Sequence, residues 1–167
     1  MIITAKTLVQ NGIVGNAPES CITPVGVDLQ VKQISKIAGI GYIPAVGKTK
    51  LPTYVEVPWN DNGDVAFVEL QPGVYDVVFE QSCNLPAGVQ GKITHRSSLN
   101  RCGVLITSGE FDPGFHTDNI GAVMYVHNTI VIEKGARLAQ IVCNQVTEGG
   151  QLYNGQWQGD CQRKENQ

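Results

Sequence analysis

The stretch "DVAFVELQPGVYDVVFEQ" (64–81) holds two runs rich in valine and aromatic residues, 64–70 and 74–81, separated by Gln71-Pro72-Gly73. Both runs favour extended chain, and the Pro-Gly pair punctuates them, so the stretch reads as two strands joined by a tight connection. Working outward, the same two-residue period recurs. Val27, Leu29 and Val31 alternate with Asp28, Gln30 and Lys32, which predicts a half-buried strand with Asp28 on its polar side. "GVQGKITHR" (88–96) leads into "SSLNRCGVLITSG" (97–109), and "IGAVMYVHN" (120–128), "IVIEK" (130–134) and "ARLAQIVCNQV" (136–146) complete the series. One helix is expected, over 5–11, with Thr4 as its cap and Gly12 ending it. Residues 46–62 lack a pattern and read as an excursion loop. Short strands at near-regular spacing imply an all-β sandwich or jelly-roll barrel.

A chain of 167 residues is one domain by size, able to bury ~70% of its unfolded surface. The 19 glycines and 8 prolines agree with frequent turns. A net charge of −3 argues against generic nucleic-acid binding, which needs a basic face, but leaves room for a small anionic substrate gripped by a few arginines. No segment approaches the ~18 apolar residues of a membrane span, and the start lacks the pattern of a signal peptide. Cys21, Cys83, Cys102, Cys143 and Cys161 are odd in number and show no C-x-x-C spacing. They read as thiols of a reducing compartment, with the cytoplasm expected, and a zinc site has no support.

Five short stretches carry candidate chemistry. Asp28 in "GVDLQV" is by itself a solvated strand residue or an acidic ligand. In "HRSSLNR" (95–101), Arg96 and Arg101 flank Ser97 and Ser98, the equipment for gripping phosphate oxygens or simply for ending a strand. "SGEFDPGF" (108–115) places Asp112 ahead of Pro113-Gly114 and between Phe111 and Phe115. Asp, Pro and Gly suit the first three positions of a β-turn, and the same turn could hold a base that polarises a water. Gln140 in "KGARLAQ" could donate to a phosphate or sit on a strand surface. From Gly149 the chain turns polar, yet "YNGQWQG" (153–159) keeps two aromatic rings that suggest ordering over a ligand or against a neighbouring subunit.

In this order "GVDL" (26–29), "RSSLNR" (96–101), "GEFDPGF" (109–115), "GARLAQ" (135–140) and "YNGQWQG" (153–159) resemble the five motifs of the dUTPase and dCTP deaminase superfamily, closest to archaeal- and phage-type dUTPases. The resemblance implies a distorted jelly roll with one short N-terminal helix, assembled as a homotrimer with sites built from more than one subunit. It implies a domain over 1–148 and a mobile tail over 149–167 that closes over the site. The implied reaction is dUTP diphosphatase activity, giving dUMP and pyrophosphate with Mg²⁺. Asp112 takes the place of the carboxylate that deprotonates the attacking water. Phe115 stands where relatives have the tyrosine stacked on deoxyribose, and the hairpin backbone at Gly109 reads the uracil edge. Arg96, Ser97, Ser98 and Gln140 match phosphate ligands, and Arg101 belongs to the same pattern. Asp28 matches the acid that holds Mg²⁺ through water, the ion binding mainly through substrate phosphates. Tyr153, Gln156, Trp157 and Gln158 would close over base and triphosphate.

Deaminase members need a glutamate about ten residues after the hairpin aspartate. Here "NIGAVMYVHN" (119–128) has no acid, and allowing for the inserted "HTDN" brings Tyr125 to the position. A dCTP deaminase or a bifunctional enzyme is the alternative, with a trimeric nucleotide-responsive binding protein, using 46–62 as its partner surface, as a third. Glu110, unusual beside the hairpin, reads as a solvent-exposed acid or a displaced proton shuttle.

Overall fold

The computed structural model describes residues 1–146 and 151–159, and in it the run 64–81 forms two strands that do not pair with each other. Fourteen strands occur among the described residues. They are β1 (Ile2–Ile3), β2 (Val14–Gly15), β3 (Val27–Ala38), β4 (Thr53–Glu56), β5 (Asn60–Asp61), β6 (Ala66–Leu70) and β7 (Gly73–Phe79). There follow β8 (Ser82–Asn84), β9 (Val89–His95), β10 (Val104–Thr107), β11 (His116–Thr117), β12 (Gly121–Val126), β13 (Ile130–Glu133) and β14 (Arg137–Gln145). The largest sheet has the order β1-β14-β3-β7-β12-β10, with β4 also on β3 and β9 also on β14; β11-β8-β2 and β13-β6-β5 form two smaller sheets. Every pairing between these strands is antiparallel. At Gln71-Pro72-Gly73 the chain therefore crosses from a small sheet to the large one, and the Tyr75 hydroxyl fixes the corner by donating to the Gln71 carbonyl at 2.8 Å. Sheet switching at a corner is how a jelly roll wraps a single core.

β7 lies between β3 and β12 and buries five residues in succession, Tyr75 to Phe79, because it is covered on both faces. Phe79, Leu29, Met124, Ile141 and Leu8 are among the fully buried side chains at the centre. Each contributes on the order of 1.5–3 kcal/mol by leaving water. Apart from Asp28, which is buried, β3 keeps the expected alternation to Val31. Its register against β7 shifts between Val31 and Gln33, so Ile34 rather than Gln33 turns inward. An extra residue in one strand reverses the phase of all that follow.

The expected helix forms as α1 (Ala5–Gln10), with Thr4 Oγ1 accepting from the Thr7 N–H and Gly12 at φ +67° just beyond the end. A second short helix, α2 (Ser97–Arg101), adds to the single helix expected: within 97–109 only Val104–Thr107 is extended. Leu99 is the one α2 side chain that is buried, and five residues are too few to display a helical period. The 46–62 excursion is also corrected, since β4 pairs with Ser35 to Ala38 of β3 and β5 with β6. β4 is an edge strand exposed along most of its length, so its sequence carries no inside–outside alternation. The loop that remains, 39–52, is closed by two 2.9 Å main-chain bonds exchanged between Tyr42 and Lys50. Among the described residues no helix is long and apolar enough to cross a membrane.

Cys21 and Cys143 are free thiols sealed in the core, whereas Cys102 is an exposed thiol; Cys161 lies outside the described residues. Burial pushes the Cys143 thiol up to about 11. Burial is also the main cause that raises Cys21, with the Asp28 charge adding to it against a Ser20 hydrogen bond and the nearby arginines. Because the thiolate is the reactive form, these two sulfurs are both hidden and protonated. Brief alkylation with iodoacetamide at pH 8 should modify Cys102 and leave Cys21 and Cys143 untouched in peptide mass mapping; labelling of Cys143 as fast as Cys102 would contradict this packing.

Candidate active site

Asp28 and Gln140 face each other across the β3–β14 ladder. The Asp28 Oδ1 accepts from Gln140 Nε2 at 3.2 Å, and Oδ2 meets Arg96 Nε at 3.2 Å and Arg137 Nη1 at 3.3 Å. Gln140 Nε2 also donates to Thr23 Oγ1 at 3.0 Å, and Arg137 Nη1 to the Ser20 carbonyl at 2.6 Å. The Asp28 side chain is 1% exposed, so the polar-side placement expected from the alternation is overturned: two arginines and the 18–26 loop roof it over. About a third of each guanidinium side chain stays accessible, at 34% for Arg96 and 39% for Arg137. Two guanidinium charges against one carboxylate leave a net charge of +1, suited to a polyanion. Gly26 is required at its position, since a Cβ there would come within 2.6 Å of Gln140 Cγ.

Arg137 was not among the residues singled out from sequence. It stands three residues before Gln140, which on a regular strand means opposite faces. A register shift between Arg137 and Ala139 brings the two to the same carboxylate, and a bulge leaves no mark in simple alternation. Ser97 and Ser98 follow Arg96 as exposed residues of α2, while Arg101 is exposed at its far end and does not contact Asp28. The donor set does not fit a protein-held magnesium ion. Both Asp28 oxygens are committed to cationic or amide donors, and among the described residues no three His, Cys, Asp or Glu side chains come together to hold a metal.

The second group of residues gathers on the 108–115 hairpin. The Phe115 N–H donates to the Asp112 carbonyl at 3.1 Å and Gly114 has φ +86°, which makes Asp-Pro-Gly-Phe a turn of the type that needs glycine third. Main chain clamps the turn from both sides. Gly91 and Phe111 exchange two 2.9 Å bonds, the Gly114 N–H donates to the Leu85 carbonyl, and the Leu85 N–H donates to the Phe115 carbonyl. Phe111, Phe115 and Tyr153 form a chain of rings with centroids 5.2 and 5.5 Å apart, the second pair edge-on. Beside them opens a cavity of about 320 Å³, lined among others by Gly109, Asp112, Phe115, Leu51, Tyr153 and Trp157. That is the low end of ordinary small-molecule sites.

The tail reaches this cavity in its own chain. The Tyr153 N–H donates to the Pro113 carbonyl at 2.8 Å and the Gly159 N–H to the His116 carbonyl at 2.9 Å. Gln158 Nε2 donates to the Gly114 carbonyl at 2.8 Å and its Oε1 accepts from the His116 N–H at 3.2 Å. Gln156 spends its amide on Thr49 in the 39–52 loop. Both glutamines expected at a ligand thus hold protein main chain. Tail residues 149, 150 and 160–167 lie outside the described residues. Glu110 is tied to β9, with Lys92 Nζ at 3.2 Å and Gln90 Nε2 at 2.8 Å, and Tyr125 is partly exposed on β12 opposite Leu105 and Val74.

Within one chain the two groups stay apart. Gly91 lies against the hairpin at Phe111 and Arg96 stands five residues further on, about 16 Å of extended strand. None of Asp28, Arg96, Arg137 or Gln140 lines the cavity.

Comparison with known proteins gives a consistent family. The family described as dCTP deaminase-like matches residues 3–146. The deoxyuridine 5'-triphosphate nucleotidohydrolase of Methanocaldococcus jannaschii is 37% identical over 160 residues, covering 95% of this chain and 99% of the relative. A probable deoxyuridine 5'-triphosphate nucleotidohydrolase of Aeropyrum pernix is 32% identical over 166 residues, covering 96% and 99%. Among solved structures, the 2'-deoxycytidine 5'-triphosphate deaminase from Agrobacterium tumefaciens superposes with a TM-score of 0.64 at 18% identity, a likeness of fold. The match covers 85% of this chain and 46% of that one, so the chain spans about half the length of that deaminase. The chain belongs to the dCTP deaminase-like family.

The Asp28 cluster makes a direct forecast. Asp28→Asn leaves two guanidinium groups without their counter-charge and should lower stability by about 2–3 kcal/mol in urea unfolding. A change within ~0.5 kcal/mol, typical of a surface substitution, would show that the cluster is not held by this charge.

Proposed function

We propose that this member of the dCTP deaminase-like family is a dUTP diphosphatase, converting dUTP and water to dUMP and pyrophosphate. The observation that carries the reading is Asp112, a carboxylate on a turn that main chain clamps from both sides, at the wall of a cavity lined by aromatic rings. The two nucleotidohydrolase relatives, which the chain matches nearly end to end, support the same substrate. The cavity takes the pyrimidine and deoxyribose, with the Gly109 backbone at the base edge and the Phe115 face against the sugar, where a 2'-hydroxyl would collide.

Asp112 then orients a water toward the α-phosphorus and accepts its proton. A bond forms from the water oxygen to phosphorus, the bond to the bridging oxygen breaks, and pyrophosphate leaves. Arg96, Arg137 and Gln140, with the Ser97 and Ser98 hydroxyls beside them, meet the charge on the polyphosphate. Asp28 acts through the arginines by aiming them. Magnesium enters the proposal with the substrate's polyphosphate, and Asp28 would reach it only through water, since Oδ1 keeps a lone pair beyond its bond from Gln140. The distance between the two groups supports a homotrimer, in which the arginine cluster of one copy completes the cavity of the next. The division into a β domain of 1–148 and a closing tail of 149–167, and a cytoplasmic location, belong to the same proposal.

Hydrolysis is favoured over deamination by the acids present. Glu110 is held by Lys92 and Gln90, and Tyr125 supplies no carboxylate for a proton transfer at C4 of cytosine.

The test is pyrophosphate and ammonia release from dUTP, dCTP, dTTP and UTP by the wild-type chain and Asp112→Asn. Wild type should cleave dUTP preferentially and release no ammonia from dCTP. The variant should lose about 10²–10⁴ in kcat. Its affinity for a non-hydrolysable dUTP analogue should stay within a few-fold of wild type. Undiminished turnover by Asp112→Asn would remove the aspartate from the chemistry.

A further inference from the structure

Gln156 uses both ends of its carboxamide on the main chain of a single residue: Oε1 accepts from the Thr49 N–H at 3.1 Å, and Nε2 donates to the Thr49 carbonyl at 2.9 Å. Thr49 lies in the 39–52 loop, where the Tyr42–Lys50 pairing fixes the adjoining backbone. Two residues beyond Thr49, Leu51 is itself part of the cavity wall. One short segment therefore touches the cavity through a side chain and the tail through its main chain. On the tail, Gln156 lies between Tyr153 and Trp157, the two rings that wall the cavity from that side. The main-chain N–H of Trp157 donates to Tyr153 Oη at 3.2 Å, which ties the Tyr153 side chain to the backbone that carries Trp157 and makes them one unit. Among the described residues the other hydrogen bonds from the tail to the body of the chain run to Pro113, Gly114 and His116, so without Thr49 these bonds hold the ring unit from the hairpin bank alone.

We propose that the 39–52 loop is a working part of the catalytic pocket, and that Gln156 is a positioning residue. By clasping the Thr49 main chain it holds the Tyr153–Trp157 cover across the cavity, and it does not touch nucleotide. Gln156 is exposed, so its two bonds compete with water and the clasp is readily reversible. That suits a cover that must admit substrate and release product at each turnover. The kinetic part of the inference rests on the dUTP reading, whereas the placement of the cover does not.

The experiment uses the full chain carrying Trp59→Phe, which leaves Trp157 as its sole tryptophan. Acrylamide quenching of Trp157, and KM and kcat for dUTP, are compared for this parent, Gln156→Ala, Thr49→Pro and the double variant. Proline at 49 removes the N–H from the other side of the clasp. Each single variant should raise the quenching constant about twofold and KM about five- to tenfold, with kcat changed less than about twofold. The double variant should equal the singles, since both break one interaction. Gln156→Lys, which can grip phosphate but has no acceptor for the Thr49 N–H and so cannot make the two-bond clasp, should behave like Gln156→Ala and guards against a Thr49→Pro chain that fails to fold. The proposal is overturned if quenching is unchanged in the Gln156 variants, if the double variant is additive, or if Gln156→Lys keeps the parent's KM. Should no variant or parent cleave dUTP, the catalytic reading fails while quenching still decides the clasp.

Discussion

A buried carboxylate that two arginines must share is the constraint on which the rest of the molecule depends. Asp28 sits in β3, Arg96 at the entry to α2 and Arg137 at the start of β14, so one charge ties three parts of the chain that are distant in sequence. Buried alone, that carboxylate would cost several kcal/mol, which obliges the arginines to come to it. The guanidinium groups are then held by one edge, with the remaining N–H groups of each left for another partner. The irregularities nearby follow from this demand. β14 bulges so that Arg137 and Gln140 both arrive, and residue 26 is glycine because the Gln140 side chain lies against it.

The hairpin solves a different problem by different means. Asp112 has no ion pair among the described residues, and its placement comes from backbone bonds of the turn to Gly91 of β9 and to Leu85 just beyond β8. The cover over the cavity shares two main-chain bonds with the hairpin and adds an edge-on ring pair and two glutamine amides. The acid is therefore placed by main chain alone, while the cover's hold on the 39–52 loop is one exposed side chain, a division of labour that suits chemistry needing fixed geometry and turnover needing access.

What could be read from sequence divides along a physical line. The Asp-Pro-Gly turn, the Thr4-capped helix and the all-β architecture were legible because each is local: three residue types set the turn, one side chain sets the cap, and a two-residue period marks a strand. Asp28 was legible as a family position but not as a buried one, because what covers it arrives from residues 20, 23, 96, 137 and 140. Arg137 was hidden by a bulge, α2 by its brevity, and β4 by lying at an edge where neither face alternates. The partner of Gln156 was beyond reach, since a side chain docking on a peptide 107 positions away leaves no pattern in either segment.

Apart from the Phe115–Tyr153 ring contact, the tail settles on the hairpin through main-chain groups of Pro113, Gly114 and His116. Contacts of that kind are blind to residue identity. His116 can therefore drift through substitution without breaking those bonds, while Gly114 cannot without strain, because its φ of +86° disfavours any side chain and a Cβ would also crowd Leu152 at 3.0 Å. Evolution is left with a seam whose shape is heritable but whose letters, one glycine apart, are open to revision.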